Sequence, residues 1–398
     1  MNNSIKSKNY ITLKQNLYQR KPKMKVAVVI PTHFDIRSSL HVLLSAYRYL
    51  IRTKNIEVTI FTDSRNNVSY KDFKIEKIKS VDYKTPLEKI FFIMGIPRFF
   101  YMDLIKKLKG YDVIETSNPE FYWFAYQSYL AAKKYKIGLV YRTSQTVDGF
   151  FLFHLTRHII RLFVRKAYDY AQALIFTNTE AVQRCIRLGF INNSKKVMIS
   201  GHGVDTKIFK PNKKTKHKNI ILLSVAGLYK IKGHHLIIKS LKKVIDSGYR
   251  NVRLHIVGEG YYKNHLIELS KHLGINNYVK FLGTLDSHKL VLNYNQSDIF
   301  VLANYQEITP AVNEAMASGL PVVVMECGGR KFTVPNEEYG LVSKKFDTDD
   351  MAKKIILLIK NPELRKKIAD KGRKRVIEKF RIEVYADNLY KGLKRKTR

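Results

Sequence analysis

Residues 298–323 read Asp298-Ile-Phe-Val-Leu-Ala-Asn-Tyr-Gln-Glu-Ile-Thr-Pro-Ala-Val-Asn-Glu-Ala-Met-Ala-Ser-Gly-Leu-Pro-Val-Val323. The apolar run ending near Ala303 has no polar alternation, the pattern of a strand buried on both faces of a parallel sheet. A short polar loop follows, and a helix begins near Pro310. Thr309 suits its N-cap and Pro310 its first position. The amides of Ala311 and Val312 lack intrahelical acceptors and face the loop with the helix dipole behind them. This makes an anion site, worth about 0.3–1 kcal/mol from the dipole alone. Glu314 lies about one turn in, where a carboxylate accepts two hydroxyls of a ribose; the alternative is that it complements the helix N-terminus. Gly319-Leu-Pro-Val-Val returns tightly to another strand. Cys327-Gly-Gly-Arg then forms a second glycine loop, where backbone can approach a ligand closely.

Working outward, the same pattern recurs on both sides. Before it lie strand runs at Ile220–Gly227, Arg253–Gly258 and Val279–Gly283, with helical stretches at His234–Asp246 and Asn264–Leu273. Further upstream, Lys25-Val-Ala-Val-Val-Ile ends in Pro31-Thr-His33. A helix over Ser39–Arg52 and a strand at Val58–Thr62 follow, with more strands expected at Asp112–Glu115, Ile137–Tyr141 and Ala173–Phe176. Alternating β and α units of this kind build parallel sheets with helices on both faces. Two such series predict two open α/β domains whose strand ends meet at a shared cleft. The expected division is a basic N-terminal arm over residues 1–24, a first Rossmann-like domain over 25–210, a lysine-rich linker over 211–218 and a second Rossmann-like domain over 219–380. A C-terminal helix over 381–398 crosses back to the first domain. The segment Asp349–Lys396 reads as helical throughout.

Composition bounds the function classes. With 72 Lys and Arg against 33 Asp and Glu, the formal charge of the 398 residues is +39. Anionic partners therefore come into view: phosphorylated substrates, an anionic membrane surface or nucleic acid. The basic residues are dispersed and no recognition-helix or zinc-finger pattern occurs, so nucleic acid is the weaker alternative. Cys185 and Cys327 stand in unrelated contexts, which excludes a disulfide framework and fits a reducing compartment. No segment reaches the roughly 20 apolar residues of a membrane span, and the N-terminus lacks the apolar core of a secretory signal. The expected location is cytoplasmic, with peripheral attachment to the inner face of the membrane as an extension. That extension rests on two basic aromatic stretches, Thr85–Lys109 and Phe150–Tyr170, of the kind that lie in an anionic interface; the alternative is aromatics in the core and a solvated basic face.

The order of these blocks resembles the retaining glycosyltransferases of family 4, which have the GT-B fold of two facing Rossmann-like domains. Glu314-Ala-Met-Ala-Ser-Gly-Leu-Pro-Val-Val is similar to the second half of that family's Glu-x7-Glu motif. Lys232-Gly233-His-His-Leu-Ile, Leu254-His-Ile-Val-Gly-Glu-Gly and Val279-Lys-Phe-Leu-Gly match further blocks. Gly201-His-Gly-Val-Asp-Thr-Lys-Ile-Phe-Lys-Pro looks like the signature that closes the first domain. The resemblance implies metal-independent transfer of a hexosyl group from a UDP- or GDP-linked donor to a glycan or lipid-linked acceptor, in polysaccharide or glycolipid synthesis. No further cofactor is implied. Glu314 would hold the ribose, Thr309, Pro310, Ala311 and Val312 the diphosphate, and Lys232 would neutralise the leaving group.

Departures from the family pattern are equally specific. An arginine usually stands where this chain has Gly227, and Lys230 is the candidate substitute, as a point charge rather than a fork. The first glutamate of the motif falls on Gln306, with Glu307 one residue out of register; either can contact the donor sugar. The family's histidine after a later strand is replaced by Tyr141-Arg142-Thr143-Ser144-Gln145. That leaves His33 as a candidate catalytic or phosphate contact in the first domain, and Arg142 as a candidate phosphate ligand. Asp347-Thr-Asp349 has metal-binding spacing, but helix capping explains it better and no metal is expected. These gaps keep open a donor-binding protein with impaired catalysis.

Overall fold

The computed structural model describes residues 23–30, 39–66, 70–81, 100–120, 122–143, 154–192, 194–212 and 218–395. The apolar runs form the strands β1 (Met24–Val29), β2 (Ile56–Asp63), β3 (Lys74–Ile78), β4 (Ser80–Val81), β5 (Phe100–Tyr101), β6 (Val113–Ser117), β7 (Gly138–Thr143), β8 (Ala173–Phe176) and β9 (Val197–Ile199). All but β4 and β5 join one parallel sheet in the order β3-β2-β1-β6-β7-β8-β9. The second half contributes β10 (Ile220–Val225), β11 (Val252–Val257), β12 (Val279–Gly283), β13 (Ile299–Leu302), β14 (Val322–Met325) and β15 (Leu341–Ser343). These form a second parallel sheet in the order β12-β11-β10-β13-β14-β15.

The unbroken apolar runs follow from burial on two faces. Ala27 and Val29 pack into the core on one side of the first sheet, Val26 and Val28 into that on the other. In the second sheet Val301 and Val323 face one core, while Phe300, Leu302, Val322 and Val324 face the other. Each such side chain removed from water contributes about 1.5–3 kcal/mol, which alternation with polar residues would forfeit.

The C-terminal segment, which the sequence reads as helical throughout, is three helices, Thr348–Lys360, Pro362–Lys379 and Ile382–Lys394. Pro362 disfavours helical backbone at Asn361, and the Asn361 side chain caps the second helix by accepting from the Leu364 N–H at 2.9 Å. The second break, at Phe380, is where the chain leaves one lobe for the other. Val204 N–H donates to the Phe380 carbonyl at 2.8 Å, and Ile382 N–H donates to the Val204 carbonyl at 2.8 Å. Beyond it Ile382, Tyr385, Ala386, Leu389 and Leu393 share a core with Val26, Leu43 and Tyr47 of the first lobe. Gln172 fastens the end of that helix, donating to the carbonyls of Gly392 and Leu393 at 3.0 and 2.8 Å.

One close approach decides where the site forms. Gly233 has φ 71°, and a Cβ there would lie 2.0 Å from the carbonyl oxygen of Ala303, at the end of β13. The residue therefore lets the Lys230–Lys232 turn press onto the neighbouring strand. Gly233→Ala combines left-handed strain with a backbone collision. We expect it to lower stability by more than about 3 kcal/mol in urea titrations; a change below about 0.5 kcal/mol would show that the contact is dispensable.

Candidate active site

Strand order in the second sheet reverses between β10 and β13, and open α/β sheets bind ligands at the carboxyl ends of the strands flanking such a reversal. After β10 come Gly227, the Lys230–Lys232 turn and Gly233. After β13 come Asn304 to Thr309 and then the Pro310–Ala317 helix. The two segments are stitched together, for Tyr305 N–H donates to the Ile231 carbonyl at 3.0 Å. A second stitch joins the loop to Gly328 after β14: Gly328 N–H donates to the Gln306 carbonyl and Ile308 N–H to the Gly328 carbonyl, each at 2.9 Å.

The bridge pairs Glu307 with Gly328. Consecutive residues of an extended bridge point to opposite sides, and it is Glu307 whose charge acts on half-buried Lys232. Burial pushes the Glu307 carboxyl up to about 7, with Lys232 pulling the other way. Burial likewise depresses the Lys232 ammonium, opposed by Glu307. Glu314 is pushed up to about 7 by burial, partly offset by the Tyr294 hydroxyl, which donates to its Oε2 at 2.8 Å.

Three buried polar atoms of this loop have no partner. Asn304 Nδ2, Glu307 Oε2 and Thr309 Oγ1 are all buried and unpaired within six residues of one loop. Buried polar groups nearly always have partners in folded proteins, so each of these calls for one. Asn304 is fully buried and was not singled out from sequence. The signal was present, as a carboxamide directly after a strand of wholly apolar residues. Tyr294 and Tyr305, which orient Glu314 and the loop, were also missed, because aromatic residues at such spacing read as core. The Tyr305 hydroxyl meets His235 Nε2.

Several expectations need correction. Thr309 occupies the N-cap position with extended backbone, but its hydroxyl makes no capping bond. Pro310 stands at the first helical position as expected. Val312 is fully buried and its N–H donates to the Thr309 carbonyl at 3.1 Å, while Ala311 is buried too, with 8% of its surface exposed. Lys230 is exposed on the turn. The space a side chain at Gly227 would need is taken by Tyr229, whose ring would be 2.7 Å from a Cβ there. Arg142 is already engaged within the first lobe: its Nε donates to fully buried Glu115 at 2.9 Å, beside Tyr47 and Tyr385, while its side chain stays 19% exposed. Asp347 caps its helix through the N–H groups of Asp349 and Asp350 at 3.0 and 2.9 Å. Among the described residues no cluster of three or more His, Cys, Asp or Glu is arranged for a metal. His33 lies outside the described residues.

The Glu307 carboxyl holds its proton more tightly folded than unfolded. Its contribution to stability is thus fully present below its ordinary value of 4.5 and is lost as pH rises through about 7. Glu307→Gln should therefore stabilise the protein at pH 8, by about 3 kcal/mol at most or several degrees of Tm, and by less than about 1 kcal/mol at pH 5. Equal Tm values at pH 8, or equal gains at both pH values, would contradict this burial cost.

Residues 205–375 match the family model described as "Glycosyl transferases group 1". An uncharacterised glycosyltransferase of Haemophilus influenzae is 35% identical over 164 residues, 41% of this chain and 46% of the relative. The capsular polysaccharide biosynthesis glycosyltransferase CapM of Staphylococcus aureus is 28% identical over 258 residues, 62% of this chain and 66% of the relative. The chain thus spans about half to two thirds of the length of these relatives. Solved structures align along nearly the whole chain. A glycosyltransferase from Rickettsia africae has TM-score 0.72 at 18% identity, covering 94% of this chain and 100% of that one. Anabaena HepE in complex with UDP and glucose has TM-score 0.74 at 16% identity, covering 93% and 99%. The chain therefore has the GT-B fold, and its residues 205–375 match the group 1 glycosyl transferases.

Proposed function

We propose that the protein is a retaining, metal-independent glycosyltransferase that moves a sugar from a UDP- or GDP-linked donor to a hydroxyl of a glycan or lipid-linked acceptor in polysaccharide or glycolipid synthesis. One observation carries the reading: three unpaired buried polar atoms line a single loop at the reversal point of the second sheet, opposite a half-buried lysine. The likeness to CapM and to the UDP- and glucose-bound HepE structure supports it.

In this reading Glu314, held by Tyr294, accepts the ribose hydroxyls. The diphosphate rests on the Ala311 amide and the amino end of the Pro310–Ala317 helix, with the Thr309 hydroxyl as a further donor. Glu307 turns toward the donor sugar. As the anomeric carbon–oxygen bond breaks, charge gathers on the departing phosphate. Lys232, already desolvated, stabilises that charge more in the transition state than in the ground state. The acceptor oxygen forms its bond to the anomeric carbon from the same face, and its proton passes to an oxygen of the leaving diphosphate. His33 is the first-lobe candidate for contact with the acceptor or the phosphates.

An attachment surface is favoured by a separate observation. On the helix His154–Tyr170, Leu162 and Phe163 are 57% and 47% exposed beside exposed Lys166, and Phe100 and Met102 are 44% and 46% exposed near exposed Lys106. Among the described residues no helix is long and apolar enough to cross a membrane. We propose peripheral contact with an anionic membrane on the cytoplasmic side.

Glu314→Ala should weaken nucleotide binding by at least tenfold, and Lys232→Ala should lower kcat by about 100-fold with a smaller change in donor Kd, both measured by calorimetry and product release. Because Glu314 accepts hydroxyls best when ionised, donor affinity should rise between pH 6 and 8, by at most about tenfold per pH unit. Unchanged transfer in both variants would remove the assignment. Binding to anionic vesicles should fall as salt is raised, and sedimentation independent of lipid charge would remove the membrane contact.

A further inference from the structure

The residue that precedes the ribose candidate is the polar exception on a buried helix face. Asn313 is 1% exposed, and its Nδ2 donates to the backbone carbonyl of His202 at 2.6 Å. Its Oδ1 is buried and unpaired. His202 belongs to the segment by which the chain passes from the first sheet to the second, between β9 and β10.

That crossing has little freedom. A Cβ on Gly201 would stand 2.6 Å from the ring of Phe380 and 3.0 Å from that of Phe332, and one on Gly203 would stand 2.9 Å from Tyr385. Val204 pairs with the return crossing at Arg381. The His202 side chain reaches the other way. Burial and then the Arg142 guanidinium of β7 hold its imidazole down at about 4, and its Nε2 is buried without a partner. His202 thus lies within reach of the Arg142 charge of the first lobe, and its carbonyl is fastened to the helix that carries Glu314.

Resting on the function proposed above, we propose that Asn313 is a positioning residue that locks the Glu314 helix to the lobe crossing, and so fixes how a donor held by the second lobe faces an acceptor in the first. The donor contacts themselves lie on Glu314 and its neighbours, so the lock acts on the geometry between lobes. Misplacement by about 1 Å in such an arrangement costs on the order of 100-fold in rate.

The test compares the full-length parent with Asn313→Leu, which keeps the branching and number of side-chain atoms but removes the N–H donor, and Asn313→Gln, which retains a carboxamide. Asn313→Ala replaces the leucine variant if that fails to fold, as judged by its melting transition. Three readouts are taken: Kd for UDP and GDP, kcat and donor KM for transfer, and hydrogen exchange without nucleotide. The leucine variant should keep Kd and KM within about threefold and lose about tenfold or more in kcat, with the glutamine variant recovering part of the loss. Exchange over residues 200–205 and 380–382 should quicken by about tenfold while β10 and β13 stay protected. Unchanged exchange at the crossings would overturn the proposal, as would a loss of nucleotide affinity as large as the loss of kcat. Should the parent bind no nucleotide, the proposed function fails, and exchange at the crossings still decides whether Asn313 holds them.

Discussion

The candidate site depends on a contact that only glycine permits, Gly233 against the carbonyl of Ala303. Because no Cβ intervenes, the turn after β10 lies directly on the end of β13, and Lys232 and Glu307 come to act on each other. The Tyr305–Ile231 and Gln306–Gly328 hydrogen bonds then hold the loop in one shape. Sheet topology supplies the crevice, and these short-range bonds decide which side chains line it.

The arrangement is costly to the unliganded fold. Two carboxyl groups, Glu307 and Glu314, are buried deeply enough to sit near 7, and a lysine is partly desolvated between the strands. Unpaired atoms at Asn304, Glu307 and Thr309 add to that cost. The surrounding cores offset it, since β10, β13 and β14 are buried on both faces. A ligand supplying hydroxyls, phosphate oxygens and a sugar ring would satisfy these groups together. Elsewhere buried charges are paired, as Arg142 is with Glu115 and Arg184 with Glu120 at 2.7 Å.

Much of this was legible in the chain. Long β-branched runs gave away the central strands because burial on both faces removes polar alternation. The strands β3, β9 and β15 were not read, since Lys-Ile-Glu-Lys-Ile, Val-Met-Ile and Leu-Val-Ser are short and lie toward or at sheet edges where one face or end is wet. Spacing alone left Gln306 and Glu307 open, and the bridge of Glu307 to Gly328 joins residues more than twenty positions apart. Val312 looked like an open amide for the same reason: the sequence places it at a helix start, but the bond to Thr309 is a matter of local winding. Arg142 has a partner that spacing did not reveal. A cation at a strand end invites a phosphate, yet its partner Glu115 sits on an adjacent strand.

The central claim is that the end of the Pro310–Ala317 helix receives a nucleoside diphosphate whose ribose lies on Glu314. A crystal structure of the protein soaked with UDP or GDP tests this most directly. The account predicts phosphate oxygens within about 3 Å of the Ala311 amide, both ribose hydroxyls on Glu314, and Lys232 turned to the terminal phosphate. A nucleotide bound elsewhere in the molecule, with that helix end covered by protein side chains, would contradict it.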